Sequence, residues 1–93
     1  MARLSIARVR DLVRRLNYVV SFHAAEELED DNLTILDLEN IILTGGIIER
    51  QKDRKTRQAK ILIRGQILDG REGEAVVKVN ISGFLYVITV YLV

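Results

Sequence analysis

The chain has 93 residues, a net charge of +1, one His, no Cys and no Pro; 48% of it is apolar and 29% is charged. That length bounds it at one small domain, spanning 1–93, with a real core and a thin stability margin, and that composition excludes an intrinsically disordered chain. The same counts exclude a disulfide framework, a thiolate metal site and a closed structural zinc site, and neither a metal nor a cofactor is expected.

Charge is segregated along the chain. Residues 1–16 hold five Arg and one Asp, a net +4; residues 17–49 hold eight acids and no Lys or Arg, a net −8; residues 50–64 hold seven cations and Asp53, a net +6. Such blocks create local fields in a nearly neutral molecule. They read either as solvated surfaces that differ in sign or as an anionic partner docked on residues 50–64. At the start of the chain, Arg8, Arg10 and Asp11 interrupt any signal-peptide stretch. The longest apolar run, near the C-terminal end, is too short to cross a bilayer as a helix. A cytoplasmic location with no membrane partner is therefore expected.

Ile6, Val9, Leu12, Val13 and Leu16 recur at helical spacing and predict a first helix over residues 6–16, with Ser5 as N-cap and Asn17 as terminator. Tyr18-Val19-Val20 is short and extended. Ser21 caps a second helix over residues 22–31, with Ala24, Ala25 and Leu28 facing the core and Asn32 as a left-handed exit. Thr34 with Asp37 resembles a capping box and opens a third helix over residues 35–44, which Gly45-Gly46 ends.

From Ile47 the apolar period becomes two. Strands are predicted over residues 47–51, 60–68, 74–81 and 84–93, with a polar, basic loop at 52–58 and a hairpin turn at Asp69-Gly70. Gly73 reads as a second flexible point near that turn. Ile61 and Ile63 share one face with Ala75, Val77, Val79 and Ile81; Lys60, Leu62, Arg64, Val76 and Lys78 share the other. The fold class is α+β: two to three N-terminal helices, then a four-stranded antiparallel meander sheet with the helices on one face. In the last strand, strict alternation puts Leu85, Val87, Tyr91 and Val93 on one side and Tyr86, Ile88, Val90 and Leu92 on the other. Both sides are apolar, which fits a central strand covered twice or a face that meets a second copy of the chain.

His23, the only imidazole, falls in the first turn of the second helix, with Glu26 and Glu27 one turn on. It reads as a general acid or base, or as a structural helix-start His. Lys60, Arg64 and Lys78, together with Arg50 or Lys52, read as a basic sheet face able to hold phosphates, with Tyr86 placed to stack on a base, or as an ordinary solvated sheet face. Gly45-Gly46 is not a phosphate loop, since no helix follows it, and the acids of residues 26–31 lack the spacing and Gly of a calcium loop.

An ordered set of short motifs adds to this reading. It comprises Ser21-Phe22-His23-Ala24-Ala25-Glu26, Leu28, Leu33-Thr34, Asp37-Leu38-Glu39, Gly45-Gly46-Ile47-Ile48-Glu49, Arg64-Gly65, Asp69-Gly70-Arg71 and Ile88-Thr89-Val90-Tyr91. Across residues 18–91 it resembles a short bacterial domain-of-unknown-function family that opens with Thr-x-His-Ala-x-x-Arg-Met-x-x-Arg and is grouped with the RelE-, MqsR- and colicin-like ribonuclease fold of toxins. The resemblance makes residues 1–17 a helical extension on a core of 18–91. It implies a toxin-like, metal-independent endoribonuclease of a toxin–antitoxin type system, with RNA and an antitoxin-like protein as partners. His23, Arg64 and Tyr91 would be catalytic, with His23 moving a proton, Arg64 and Arg71 holding phosphate and Tyr91 orienting or donating. Arg50, Lys52, Lys60, Arg71 and Lys78 would bind RNA. The chain departs from the family pattern most sharply at Glu27 and Asp31, which stand where the pattern has Arg, while Ser21 replaces Thr and keeps the cap. Anions there repel RNA if the family's arginines bind phosphate, which would leave a catalytically degenerate member. A non-catalytic interaction or dimerisation module on the same fold is the second reading.

Overall fold

The computed structural model describes residues 3–55 and 57–93. Met1 and Ala2, at the start of the chain, and Thr56, in the expected basic loop, lie outside the described residues. The elements run α1 (Ile6–Arg14), β1 (Tyr18–Val20), α2 (Phe22–Asp30), α3 (Ile35–Thr44), β2 (Gly46–Lys52), β3 (Ala59–Gln66), β4 (Glu72–Val79) and β5 (Leu85–Leu92). None of these helices is long and apolar enough to cross a membrane.

Local sequence explains each helix end. Ser5 Oγ accepts the Arg8 amide at 3.1 Å and caps α1. At the other end Leu16, at φ 58°, takes the left-handed position. The Asn17 amide then reaches back to the Leu12 carbonyl at 2.8 Å. The turn therefore closes through Asn17, while Leu16 adopts the unusual conformation. Asn32, at φ 57°, makes the expected left-handed exit from α2, and the Leu33 amide closes that turn on the Leu28 carbonyl at 2.7 Å. Thr34 and Asp37 form both arms of a capping box on α3. Asp37 Oδ1 also accepts the Leu68 amide at 3.0 Å, tying the start of α3 to the β3–β4 turn. Backbone hydrogen bonds from Thr34 and Leu68 hold the Asp37 carboxyl below the ordinary carboxylate range.

The architecture is α+β, but the sheet has five strands and is mixed, in the order β1-β5-β4-β3-β2. The short Tyr18–Val20 segment is a strand of its own, parallel to β5 with Val19 opposite Tyr86. Its Tyr18 hydroxyl hydrogen-bonds Glu39 of α3, and burial, foremost, raises that phenol's pKa.

Leu38, Ile41 and Ile42 of α3 and Val9, Leu12 and Val13 of α1 pack on one sheet face, against Ile61, Ile63, Ala75, Val77, Leu85, Val87 and Val90. Each fully buried Leu, Ile or Val contributes about 1.5–3 kcal/mol. Helix α3 sits so close that Gly73 is fixed packing rather than a flexible point: a Cβ there would lie 2.6 Å from Ile41 Cδ1. Ile81 is not on the inner face either. It is 97% exposed, because Asn80 Oδ1 takes the Ser82 and Phe84 amides and turns the chain before it.

Two bulges reset the alternation. The β2–β3 register shifts at Ile48, and the β4–β5 register shifts at Ile88. After Ile88 the buried residue is Val90, while Thr89 and Tyr91 turn to the outer face with Tyr86. Strict alternation assigned Val90 and Tyr91 to the opposite sides; the extra residue at 88 is the reason.

Gly65 is the tightest point, since a Cβ there would lie 2.0 Å from the Ile41 carbonyl oxygen. Gly65→Ala is expected to destabilise the fold by about 3 kcal/mol or more. Gly46→Ala, with nothing within 4 Å of its Cβ, should change stability by less than about 0.5 kcal/mol. Chemical denaturation of both variants checks the contrast.

Candidate active site

The outer sheet face, opposite the helices, carries the candidate site. Arg64, Glu74 and Tyr91 stand side by side across β3, β4 and β5. Tyr91 donates its hydroxyl to Glu74 Oε1 at 2.6 Å. Arg64 donates to Glu74 Oε2 from Nε at 2.7 Å and from Nη2 at 2.6 Å. Glu74 is thereby covered on both sides and is only 6% exposed. The Tyr91 hydrogen bond, followed by Arg64, holds the Glu74 carboxyl below its ordinary range. In return, the hydrogen bond to Glu74 pushes the Tyr91 phenol up to about 12. Glu72 is a second, looser carboxylate partner of Arg64, at 3.9 Å.

Helix α2 supplies the other half. Glu27 Oε1 accepts the Thr89 hydroxyl and the Val90 amide at 3.0 Å. His23 Nε2, one turn earlier, faces the same oxygen at 3.4 Å. Thr89, which Glu27 holds, is the outer-face neighbour of Tyr91 on β5, and this sets the two halves side by side. Asp31 Oδ2 accepts the Leu92 amide at 3.4 Å. The spacing follows from geometry: four helical residues advance about 6 Å and two strand residues about 6.6 Å, so carboxylates at 27 and 31 meet amides at 90 and 92.

His23, Arg64 and Tyr91 thus lie toward one end of one surface, linked through Glu27 and Glu74. Lys60 and Lys78 share that surface two rows further along, beyond the Leu62–Val76–Thr89 row, opposite each other and Tyr86, with Lys78 Nζ 5.6 Å from the Tyr86 ring centre. Arg50 and Lys52 do not join them. The bulge at Ile48 turns Glu49 and Gln51 to the outer face and pairs Arg50 with inward-facing Ile61. Arg50 Nη1 donates instead to the Leu4 carbonyl at 2.6 Å. Arg71 sits in the β3–β4 turn, where its Nε donates to Asp69 at 2.8 Å.

The sequence reading missed Glu74 and the contact between Glu27 and Thr89. A signal for Glu74 existed: a hairpin centred on Asp69 sets residue 74 opposite residue 64. Among the described residues, no group of three or more His, Asp or Glu side chains is placed to hold a metal ion.

The family model of a domain of unknown function, DUF4258, matches residues 20–92. The chain belongs to the DUF4258 family. No curated protein and no solved structure matches the chain. The matched DUF4258 span begins at the last residue of β1 and takes in α2 through β5; α1 lies outside it. Every residue of the Arg64–Glu74–Tyr91 and His23–Glu27–Thr89 clusters falls within it.

Two outcomes follow from the Glu74 pairings. Glu74→Gln should cost about 1–2 kcal/mol at neutral pH, given that Arg64 is partly solvated, and should bring the Tyr91 phenol down from about 12 toward the ordinary value of about 10, read by ultraviolet titration of tyrosinate. Because the folded-state pKa of Glu74 is depressed, its stabilisation is complete above the unfolded carboxylate range and is lost as pH falls through the lower folded value. Denaturation midpoints measured down the acid limb should therefore fall less steeply in Glu74→Gln than in the unmodified protein.

A second outcome concerns the β5 edge. Glu27→Ala should leave the Val90 amide unpaired and speed its hydrogen exchange, with the β3–β4 amides unchanged.

Proposed function

We propose that this DUF4258 domain is a toxin-like endoribonuclease that cleaves RNA without a metal ion, with the 2′-hydroxyl attacking the neighbouring phosphate. The observation that carries this reading is that His23–Glu27, held to Thr89 of β5, stands beside the Tyr91–Glu74–Arg64 row of the outer sheet face. Transesterification needs a proton acceptor, a proton donor and a cation for the phosphorane. His23 Nε2 is turned to Glu27, which leaves Nδ1 to take the 2′-hydroxyl proton. The Tyr91 phenol, neutral up to about 12, holds a proton for the departing 5′-oxygen. Arg64 keeps guanidinium surface open to solvent and shares Glu74 with Tyr91, so it is the cation offered to the phosphorane. The products are a 2′,3′-cyclic phosphate and a 5′-hydroxyl end. Lys60 and Lys78, with Tyr86 between them and the sheet edge, hold the flanking backbone. An antitoxin-like protein that covers the same face would silence it.

One observation favours the second reading, a non-catalytic interaction or dimerisation module. Arg64 is already offset by Glu74 and Glu72, so less positive charge is available to a phosphorane than an unpaired arginine would supply.

Expression in bacteria separates the two. The unmodified protein is expected to arrest growth with fragmented RNA. His23→Ala, at an exposed position, is expected to remain folded and to lose about 10²–10⁴-fold in cleavage. If both cultures grow alike with intact RNA while the protein is soluble and folded, the interaction module replaces the enzyme.

A further inference from the structure

Cations that are distant in the chain meet around the Arg50–Leu4 hydrogen bond. That contact pins the segment before α1 against β2 and brings Arg3 and Arg8 beside the β2–β3 hairpin. Two adjoining concavities flank it, of about 420 and 300 Å³, sharing Arg3, Leu4 and Ala59. The described residues that line them include Arg3, Arg8, Arg50 and Lys52 and no Asp or Glu. A third hollow shares Gln51 and Lys52 and adds Arg54, Lys55 and Lys60, with Asp53 as its one carboxylate. A fourth shares Gln51 and Lys60, has Glu49 as a carboxylate beside that lysine, and ends at Tyr91 on the outer face. The hollows therefore form one track, from the start of α1 across the β2 edge to the candidate site.

We propose that this track holds the phosphate backbone of single-stranded RNA, with Arg3 and Arg8 as its far clamp. The inference rests on the ribonuclease reading for the direction in which the strand runs. Its cations follow a curve around a sheet edge in a molecule of 37 × 24 × 24 Å. A duplex, stiff over about 50 nm, does not bend around such an edge, whereas a single strand does. The cations are strung along a path that leads to Tyr91, which suits a polyanion carrying a charge on every unit and bases that stack. Arg3 and Arg8 lie outside residues 20–92, so the far clamp belongs to this chain's own N-terminal extension.

The test is fluorescence anisotropy of a labelled single-stranded 2′-O-methyl RNA, which offers no 2′-hydroxyl to attack and so reads binding whether or not the chain cleaves. Arg3→Ala with Arg8→Ala removes two phosphate contacts. It should lower the magnitude of the log–log salt slope by about 1.4 and weaken binding roughly 25-fold at about 0.1 M salt. Arg14→Ala with Arg15→Ala makes the same charge change at the other end of the same helix and should leave the slope unaltered. No binding, or equal losses from both pairs, overturns the track. So does a poly-glutamate competitor that binds more tightly than the RNA, which would assign the surface to an acidic protein. Binding lost with Arg3 and Arg8 in a protein that never fragments RNA would retire the nuclease reading and keep the track. Fragmentation that proceeds with binding indifferent to Arg3 and Arg8 would do the reverse.

Discussion

Strand β5 has eight residues and its outer neighbour β1 only three, so most of one β5 edge has no strand beside it. Unpaired backbone amides in a partly buried strand are costly, about 1–3 kcal/mol each. The chain meets the demand in two stages. The Ser21 amide and hydroxyl take the Val87 and Ile88 carbonyls, and then the Glu27 and Asp31 carboxylates take the Val90 and Leu92 amides. Helix α2 thus replaces the missing strand with side chains. That role fixes the height and rotation of α2, and with them the position of His23 against the Glu27 oxygen that holds Thr89. The candidate site exists where it does because the β5 edge had to be closed.

The same constraint bears on the two acids, Glu27 and Asp31, that stand where the resemblance implies arginine. Judged by charge alone, Glu27 and Asp31 look hostile to RNA. In the fold their oxygens point at backbone N–H groups, and Glu27 has the Thr89 hydroxyl as well. Part of each charge is therefore neutralised locally, and the negative field that reaches a ligand is smaller than the block of eight acids between residues 17 and 49 suggests. An arginine at either position could not accept those amides, so a family member with arginines there must close its β5 edge by other means.

Much of the architecture was legible in the sequence because it follows from local rules. The capping box at Thr34, the left-handed Asn32 and the hairpin at Asp69-Gly70 are each decided by a few adjacent residues. The illegible parts share a cause: they depend on a register or a contact across the sheet. Bulges at Ile48 and Ile88 each insert one residue and exchange the faces of everything beyond them. No residue at either position announces a bulge, and so Arg50 and Lys52 were assigned to the wrong surface and Val90 and Tyr91 to the wrong sides of β5. Parallel pairing of three residues with a strand more than sixty positions away leaves no local trace either. Of the candidate site, His23, Arg64 and Tyr91 were visible as residue types, whereas Glu74, which joins two of them, shows only once the hairpin register is applied.

The Ile88 bulge also decides the chemistry of the outer face. Without it, the residues following Val87 would keep the strict alternation, and Val90 would face outward while Tyr91 turned into the core. One extra residue sends Val90 into the core and lines Tyr91 up with Glu74 and Arg64. Burying a tyrosine hydroxyl in the aliphatic core would leave it without a partner, and exposing valine in its place would forfeit a close-packed contact. The bulge therefore improves the core and builds the Tyr91–Glu74–Arg64 row in one step. Bulges gather beside functional sites because they re-aim side chains without disturbing the strands on either side. Here the re-aimed side chain is the one that completes the row.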